Sequence, residues 1–189
     1  SLKIAIYLQQ LGLKVGDAVG VMLPNILQYP VITLGVIRAG MVLVSMNPSY
    51  TSRELEHQMD DADIKALFIL DKFIYTYKDI GDNLNRDLHH LINLVSATTD
   101  LPPKGNWVYF SQLLAGASKA YERPNLTLSH IVLIQYTGGT TGTAKGAMLS
   151  HGNVIANLLQ IDALIRSAYD EEGQEDIILA SLPLYHVFS

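Results

Sequence analysis

Ten consecutive residues, Thr137-Gly138-Gly139-Thr140-Thr141-Gly142-Thr143-Ala144-Lys145-Gly146, comprise four glycines, four threonines, one alanine and one lysine, with no large apolar side chain. Such a segment has nothing to bury, so a core has no use for it. An anion does. Gly138, Gly139 and Gly142 let the backbone take φ > 0 and bring its N–H groups against a ligand. Thr137, Thr140, Thr141 and Thr143 add hydroxyl donors, and Lys145 adds a compact positive charge. A flexible Gly/Thr hairpin is the plain alternative. The segment follows a strand-like run and ends on a lysine, which favours a phosphate cradle, with Tyr136 at its entrance. It is not a Walker A loop: Ala144 stands where that pattern needs glycine, and Gly146 where it needs Ser or Thr.

A cradle of this kind needs rigid elements on either side. Before it, Ile131-Val132-Leu133-Ile134 has the length and β-branched content of a buried strand. After it, Gly146-Ala147-Met148-Leu149 should return as an antiparallel strand. Ser150 then caps a long helix, His151 to Ala168, with Val154, Leu158, Ile161 and Ile165 at helical spacing. Beyond lie an acidic turn, Asp170 to Asp176, a strand, Ile177 to Ala180, and the segment Leu182-Pro183-Leu184-Tyr185-His186-Val187-Phe188.

The amino-terminal part alternates helix and strand with short connections. Ile4 to Leu11 form a helix closed by Gly12, and Ala18 to Leu23 a strand ended by Pro24. Asn25 is placed to cap a helix running to about Ala39, which Gly40 stops; Met41 to Val44 form the second strand. Thr51-Ser52-Arg53-Glu54 offers a capping box for a third helix, and Lys65 to Leu70 a third strand. This α-β-α-β-α-β order predicts a doubly wound, mostly parallel sheet layered with helices. Phe73 to Leu84 and Phe110 to Ala117 read as helices, Leu91 to Val95 as a strand, Leu101 to Gly105 as a loop, and Tyr121 to Thr127 as a link. Phe73, Tyr75 and Tyr77 read as packing aromatics. Neither His89-His90 nor the acidic run Asp60 to Asp63 has a neighbouring set of residues to complete a metal site. The division expected is residues 1–125 as a first α/β subdomain and 126–189 as the phosphate-loop segment opening a second.

The 189 residues are 49% hydrophobic and 16% charged, as expected of strands covered on both faces. A net charge of −5 argues against nucleic acid as partner. With no cysteine, disulfides, thiolate metal sites and cysteine nucleophiles are excluded. The longest apolar stretch, Pro30 to Met46, contains Arg38 and is shorter than the roughly 20 residues a membrane span needs. The amino terminus lacks the uninterrupted apolar run of a signal peptide, and the chain reads as a piece of a longer protein.

Thr137 to Gly146 resemble the signature Thr-Ser/Gly-Gly-Thr-Thr-Gly-x-Pro-Lys-Gly of the adenylate-forming enzymes: acyl-CoA synthetases, luciferases and peptide-synthetase adenylation domains. The match is complete except that Ala144 replaces proline. With Gly138, Ala144 and the following Ala147-Met148-Leu149-Ser150-His151, the stretch looks most like bacterial long-chain fatty acid–CoA ligases. Gly16-Asp17 and Leu23-Pro24-Asn25 also resemble that family's amino-terminal region. Leu182 to Phe188 resemble its Pro-Leu-aromatic-His turn at the wall of the acyl pocket, which makes Tyr185 and His186 candidate substrate contacts.

The resemblance implies ATP, Mg²⁺ and coenzyme A as cofactor and co-substrates. By that resemblance a fatty acid would be converted to an acyl-adenylate and then to a thioester. Residues 137–145 would grip the β- and γ-phosphates, and Thr137 would stand at the metal. The family's second metal ligand, adenine loop, ribose aspartate, hinge and catalytic lysine come later in sequence, so no complete catalytic set is expected here. The 189 residues alone are expected to be inactive in thioester synthesis. Related readings are an aryl, luciferin-like or amino-acid-activating enzyme, and a non-catalytic nucleotide-binding domain. The partners expected are small molecules, in the cytoplasm; peripheral attachment to the inner membrane and a homodimer stay open.

Overall fold

The computed structural model describes residues 1–81, 90–93, 107–137, 144–168 and 181–186. Helices and strands follow one another as α1 (Leu2–Gln10), β1 (Ala18–Met22), α2 (Gln28–Arg38), β2 (Val42–Ser45), α3 (Ser52–Asp61) and β3 (Ile64–Ile69). A 3₁₀ turn, Asp71–Phe73, leads into α4 (Ile74–Gly81), followed by β4 (His90–Asn93), β5 (Trp107–Tyr109) and α5 (Phe110–Gly116). Then come β6 (Ile131–Thr137), β7 (Lys145–Ser150) and α6 (His151–Ala168).

The seven strands among the described residues join one sheet in the order β5-β4-β3-β1-β2-β6-β7. Every neighbouring pair is parallel except β6–β7, which is antiparallel. The chain therefore moves from β1 to β2, crosses to build β3–β5 on the far side, and returns to lay β6 beside β2. This is the doubly wound arrangement that the sequence predicts. Residues 125 and 126 fall in the coil between α5 and β6, and β6 pairs with β2.

Side-chain alternation along the strands feeds two cores. Val19, Val21 and Leu23 point to the face covered by α1, α2 and α5, where Ile4, Leu8, Ile32, Val36 and Leu113 pack. Ala18, Met22 and Val44 point to the other face, against Leu55 and Met59 of α3 and Ile74 and Ile80 of α4. Burial on both faces is why these strands read as continuous apolar runs rather than alternating ones. Each fully buried Leu, Ile, Met or Phe contributes about 1.5–3 kcal/mol of transfer free energy. Gly35 permits the closest helix contact: a Cβ there would lie 2.4 Å from the Ile4 Cβ, so α1 and α2 could not meet as they do.

Two local expectations need correction. Asn25 does not cap α2; that helix starts at Gln28 from Leu27, with no side-chain cap. Pro30 sits in its first turn, where a missing N–H loses no helical bond, and the Asn25 amide is engaged elsewhere. Of the three aromatics expected to pack, Tyr75 does not. Phe73 and Tyr77 pack on the α3/α4 core, whereas Tyr75 is 72% exposed. Residues four apart share a helix face and residues two apart do not. The apolar stripe of α6 is largely uncovered by the described residues, Leu158 being 59% and Leu164 71% exposed.

The capping box of α3 forms as expected, with Thr51 and Glu54 bonded reciprocally. Ser150 caps α6: its Oγ accepts from the Asn153 N–H at 3.2 Å while the Asn153 Oδ1 accepts from the Ser150 N–H at 2.9 Å. Expectations for His89, for the loop Leu101 to Gly105, and for the acidic turn and strand between Asp170 and Ala180 lie outside the described residues.

Candidate active site

β6 is parallel to β2, so its end at Thr137 lies at the carboxyl edge of the sheet, where open α/β folds bind ligands. The β6–β7 register sets Thr137 opposite Lys145 and Tyr136 opposite Gly146. Cross-strand partners point to the same face, so the Thr137 and Lys145 side chains leave the same face of the sheet at the mouth of the hairpin, both exposed. No carboxylate pairs with Lys145 among the described residues. The six residues Gly138 to Thr143, which carry most of the expected cradle, lie outside the described residues; Thr137, Ala144, Lys145 and Gly146 define its two feet.

Tyr136 is placed differently from the rest of the candidate set. It is 5% exposed, and its hydroxyl donates to Asp61 Oδ2 of α3 at 2.6 Å. Burial, then the Asp61 hydrogen bond and charge, push the phenol well above its ordinary range, so it stays protonated. Its ring leaves no room for a side chain across the strand: a Cβ on Gly146 would sit 2.7 Å from Ile134 Cγ2 and 3.1 Å from the Tyr136 ring. The imidazole of His57, also on α3, stands edge-on to that ring with centroids 6.3 Å apart. His57 Nε2 meets the Ala144 carbonyl at 2.9 Å. A carbonyl only accepts, so this nitrogen carries the proton.

The second candidate segment arrives on the opposite face. Leu133 packs with the α1/α2 core and Ile134 with the α3/α4 core, so alternation puts Leu133, Gln135 and Thr137 on one face. Gln135 Nε2 donates to the Tyr185 carbonyl at 3.5 Å. Asn25, just beyond β1, grips the same turn twice: its Nδ2 donates to the Leu182 carbonyl at 2.8 Å and its Oδ1 accepts from the Leu184 N–H at 2.7 Å. The His186 N–H closes the turn onto the Pro183 carbonyl at 2.8 Å. The fold thus brings Tyr185 and His186 to the same sheet face as Thr137 and Lys145. Beside them a cleft of about 570 Å³ runs between the sheet and α6, lined by Leu43, Ser45, Leu133, Leu149, Leu158 and His186 among others. Its walls are mostly apolar, and the Tyr29 hydroxyl bonds Ser45 at 3.1 Å within it.

The whole chain, residues 1–189, matches the AMP-binding enzyme family. It is a member of that family. Among curated AMP-binding enzymes it is 42% identical to the long-chain-fatty-acid–CoA ligase of Escherichia coli O157:H7, across 98% of this chain and 36% of that protein. It is 33% identical to the ligase of the same name from Bacillus subtilis, across 100% of this chain and 36% of that protein. Among solved structures, a long-chain-fatty-acid–CoA ligase from Archaeoglobus fulgidus superposes with a TM-score of 0.80 at 27% identity, over 98% of this chain and 34% of that one. The ATP-bound MatB of Rhodopseudomonas palustris gives a TM-score of 0.74 at 29% identity, over 97% and 33%. The chain thus spans about a third of the length of the AMP-binding enzymes it matches.

Mg²⁺ enters most nucleotide sites on the phosphates themselves, with only one or two protein ligands. The described residues fit that mode and no other. Thr137 offers an exposed hydroxyl at the hairpin mouth, and no cluster of three His, Asp or Glu side chains that could hold a metal alone occurs among the described residues. Four supporting residues escaped the sequence reading. Asn25 reads as a helix cap, while His57, Asp61 and Gln135 give no signal, because each acts on a segment 50 to 159 residues away.

Proposed function

We propose that the protein to which this chain belongs activates a long-chain fatty acid as its coenzyme A thioester by way of an acyl-adenylate. The observation that carries the reading is the convergence of Thr137, Lys145 and the Tyr185–His186 turn on one face of the sheet's carboxyl edge, beside an apolar cleft. Similarity to long-chain-fatty-acid–CoA ligases supports it.

In the first step a carboxylate oxygen bonds to the α-phosphorus of ATP, and the bond to the bridging oxygen of pyrophosphate breaks. Negative charge builds on the departing group. Lys145 faces that charge from β7 and the Thr137 hydroxyl from β6, fixed in place before the reaction and therefore effective. Mg²⁺, held at Thr137 when bound, supplies further neutralisation. In the second step the thiol sulfur of coenzyme A bonds to the acyl carbon and AMP leaves with the electron pair. His186 is read as a wall of the carboxylate path and not as an acid or base, since the carboxylate arrives already ionised. The acyl chain lies in the cleft along Leu133 and Leu149.

The test is ATP–pyrophosphate exchange and thioester formation by the full-length protein over a panel of carboxylates. Palmitate or oleate should turn over, and Lys145→Ala should weaken ATP or pyrophosphate binding by about tenfold, the scale of one charge-assisted contact. Turnover of aryl or amino acids alone would move the protein to another branch of the adenylate-forming enzymes. Unchanged nucleotide binding by the Lys145 variant would sink the cradle itself. The 189-residue chain alone should make no thioester.

A further inference from the structure

One helix touches both feet of the hairpin that carries Thr137 and Lys145. Tyr136, the residue before Thr137, is tied by its hydroxyl to Asp61 at 2.6 Å, and Ala144, the residue before Lys145, is tied by its carbonyl to His57 at 2.9 Å. His57 and Asp61 are four apart on α3 and so share a face of the helix. The anchor is firm. Leu55 and Met59 are buried in the core beneath the sheet, and a reciprocal capping box fixes the helix start. The hairpin needs such an anchor, because among the described residues β7 is the outermost strand and pairs with β6 alone. Thr137–Lys145 is the last pair of that ladder, where strands open first.

We propose that His57 and Asp61 are positioning residues that set the separation of Thr137 and Lys145, α3 acting as a clamp across the two feet. The inference rests on the phosphate-gripping role proposed above for that pair. Neither residue reaches substrate; each acts through the backbone or ring it holds. His57 supplies one N–H to a carbonyl at the edge strand, and Asp61 accepts from the phenol whose ring fills the space over Gly146.

The experiment uses the full-length protein with His57→Ala, His57→Gln, Asp61→Ala and Asp61→Asn. Backbone amide exchange across residues 137–147 is measured without nucleotide, and KM is measured separately for ATP and for fatty acid. His57→Ala and Asp61→Ala should each speed exchange in that segment and raise the ATP KM by about tenfold, the scale of one lost hydrogen bond, with the fatty-acid KM unmoved. Gln at 57 keeps an N–H donor and Asn at 61 keeps an acceptor, so both should restore most of the loss. Exchange unchanged in both alanine variants overturns the clamp. So does an equal rise in both KM values without rescue, since a general structural role predicts that. Exchange is read with no substrate present, so a wild-type protein that failed to use ATP would remove the proposed function while the exchange data still decided the clamp.

Discussion

Tyr136 and Gly146 face each other across the β6–β7 pair, and each accounts for the other. The ring lies where a side chain at 146 would be, and its hydroxyl passes on to Asp61. Gly146→Ala forces a methyl group to within 2.7 Å of Ile134 and 3.1 Å of the ring. Overpacking of this kind costs about 1–3 kcal/mol. Urea unfolding should therefore show a lower midpoint with an unchanged slope, and an unchanged midpoint would show that the ring moves aside freely. Both residues belong to the expected cradle, and the ring of one and the missing side chain of the other fit together across the strand pair.

At the scale of the element, α3 is the helix with the most to explain: it closes one core, caps itself, and holds the feet of the hairpin. Its capping box was legible because both partners lie within four residues. Thr51→Ala should lower stability by about 1 kcal/mol at neutral pH, the usual worth of such a cap, measured by thermal or chemical unfolding. The Thr51 backbone N–H, then its hydroxyl, hold the Glu54 carboxyl below the usual carboxylate range. A lowered folded-state value means that this contribution is present above the unfolded-state pKa and lost as pH falls through the folded one. Glu54→Gln should accordingly separate from wild type at neutral pH and converge with it in acid. A gap that stayed constant down to strongly acidic pH would contradict the assignment. His57 and Asp61 on the same helix carried no local signal, since their partners are Ala144 and Tyr136.

Across the described residues, one sheet organises two cores, and these residues leave much of the apolar side of α6 exposed: Ile155, Leu158, Leu159, Ile161, Leu164 and Ile165. Exposed apolar side chains gathered on one helix attract other apolar matter. The 189-residue chain should bind a hydrophobic dye, and the double change Leu158→Glu, Leu164→Glu should remove most of that signal while leaving helix content unchanged. Dye binding that survived the double change would place the sticky surface elsewhere. The stripe spacing was clear in the sequence. What it packs against was not, because periodicity reports that a face is apolar and not which surface covers it.

The sequence by itself determined the alternation of helices and parallel strands, the antiparallel return after the glycine-rich segment, the two helix caps and the family. All of these rest on short-range patterns: side-chain period, capping residues and a contiguous motif. Tertiary structure decided the order of strands, the docking of the Tyr185–His186 turn on Gln135, the diversion of Asn25 from a helix cap to that turn, and the grip of α3 on both feet of the hairpin. Each of these joins residues far apart in the chain, and only the folding of the sheet brings such partners within hydrogen-bonding distance.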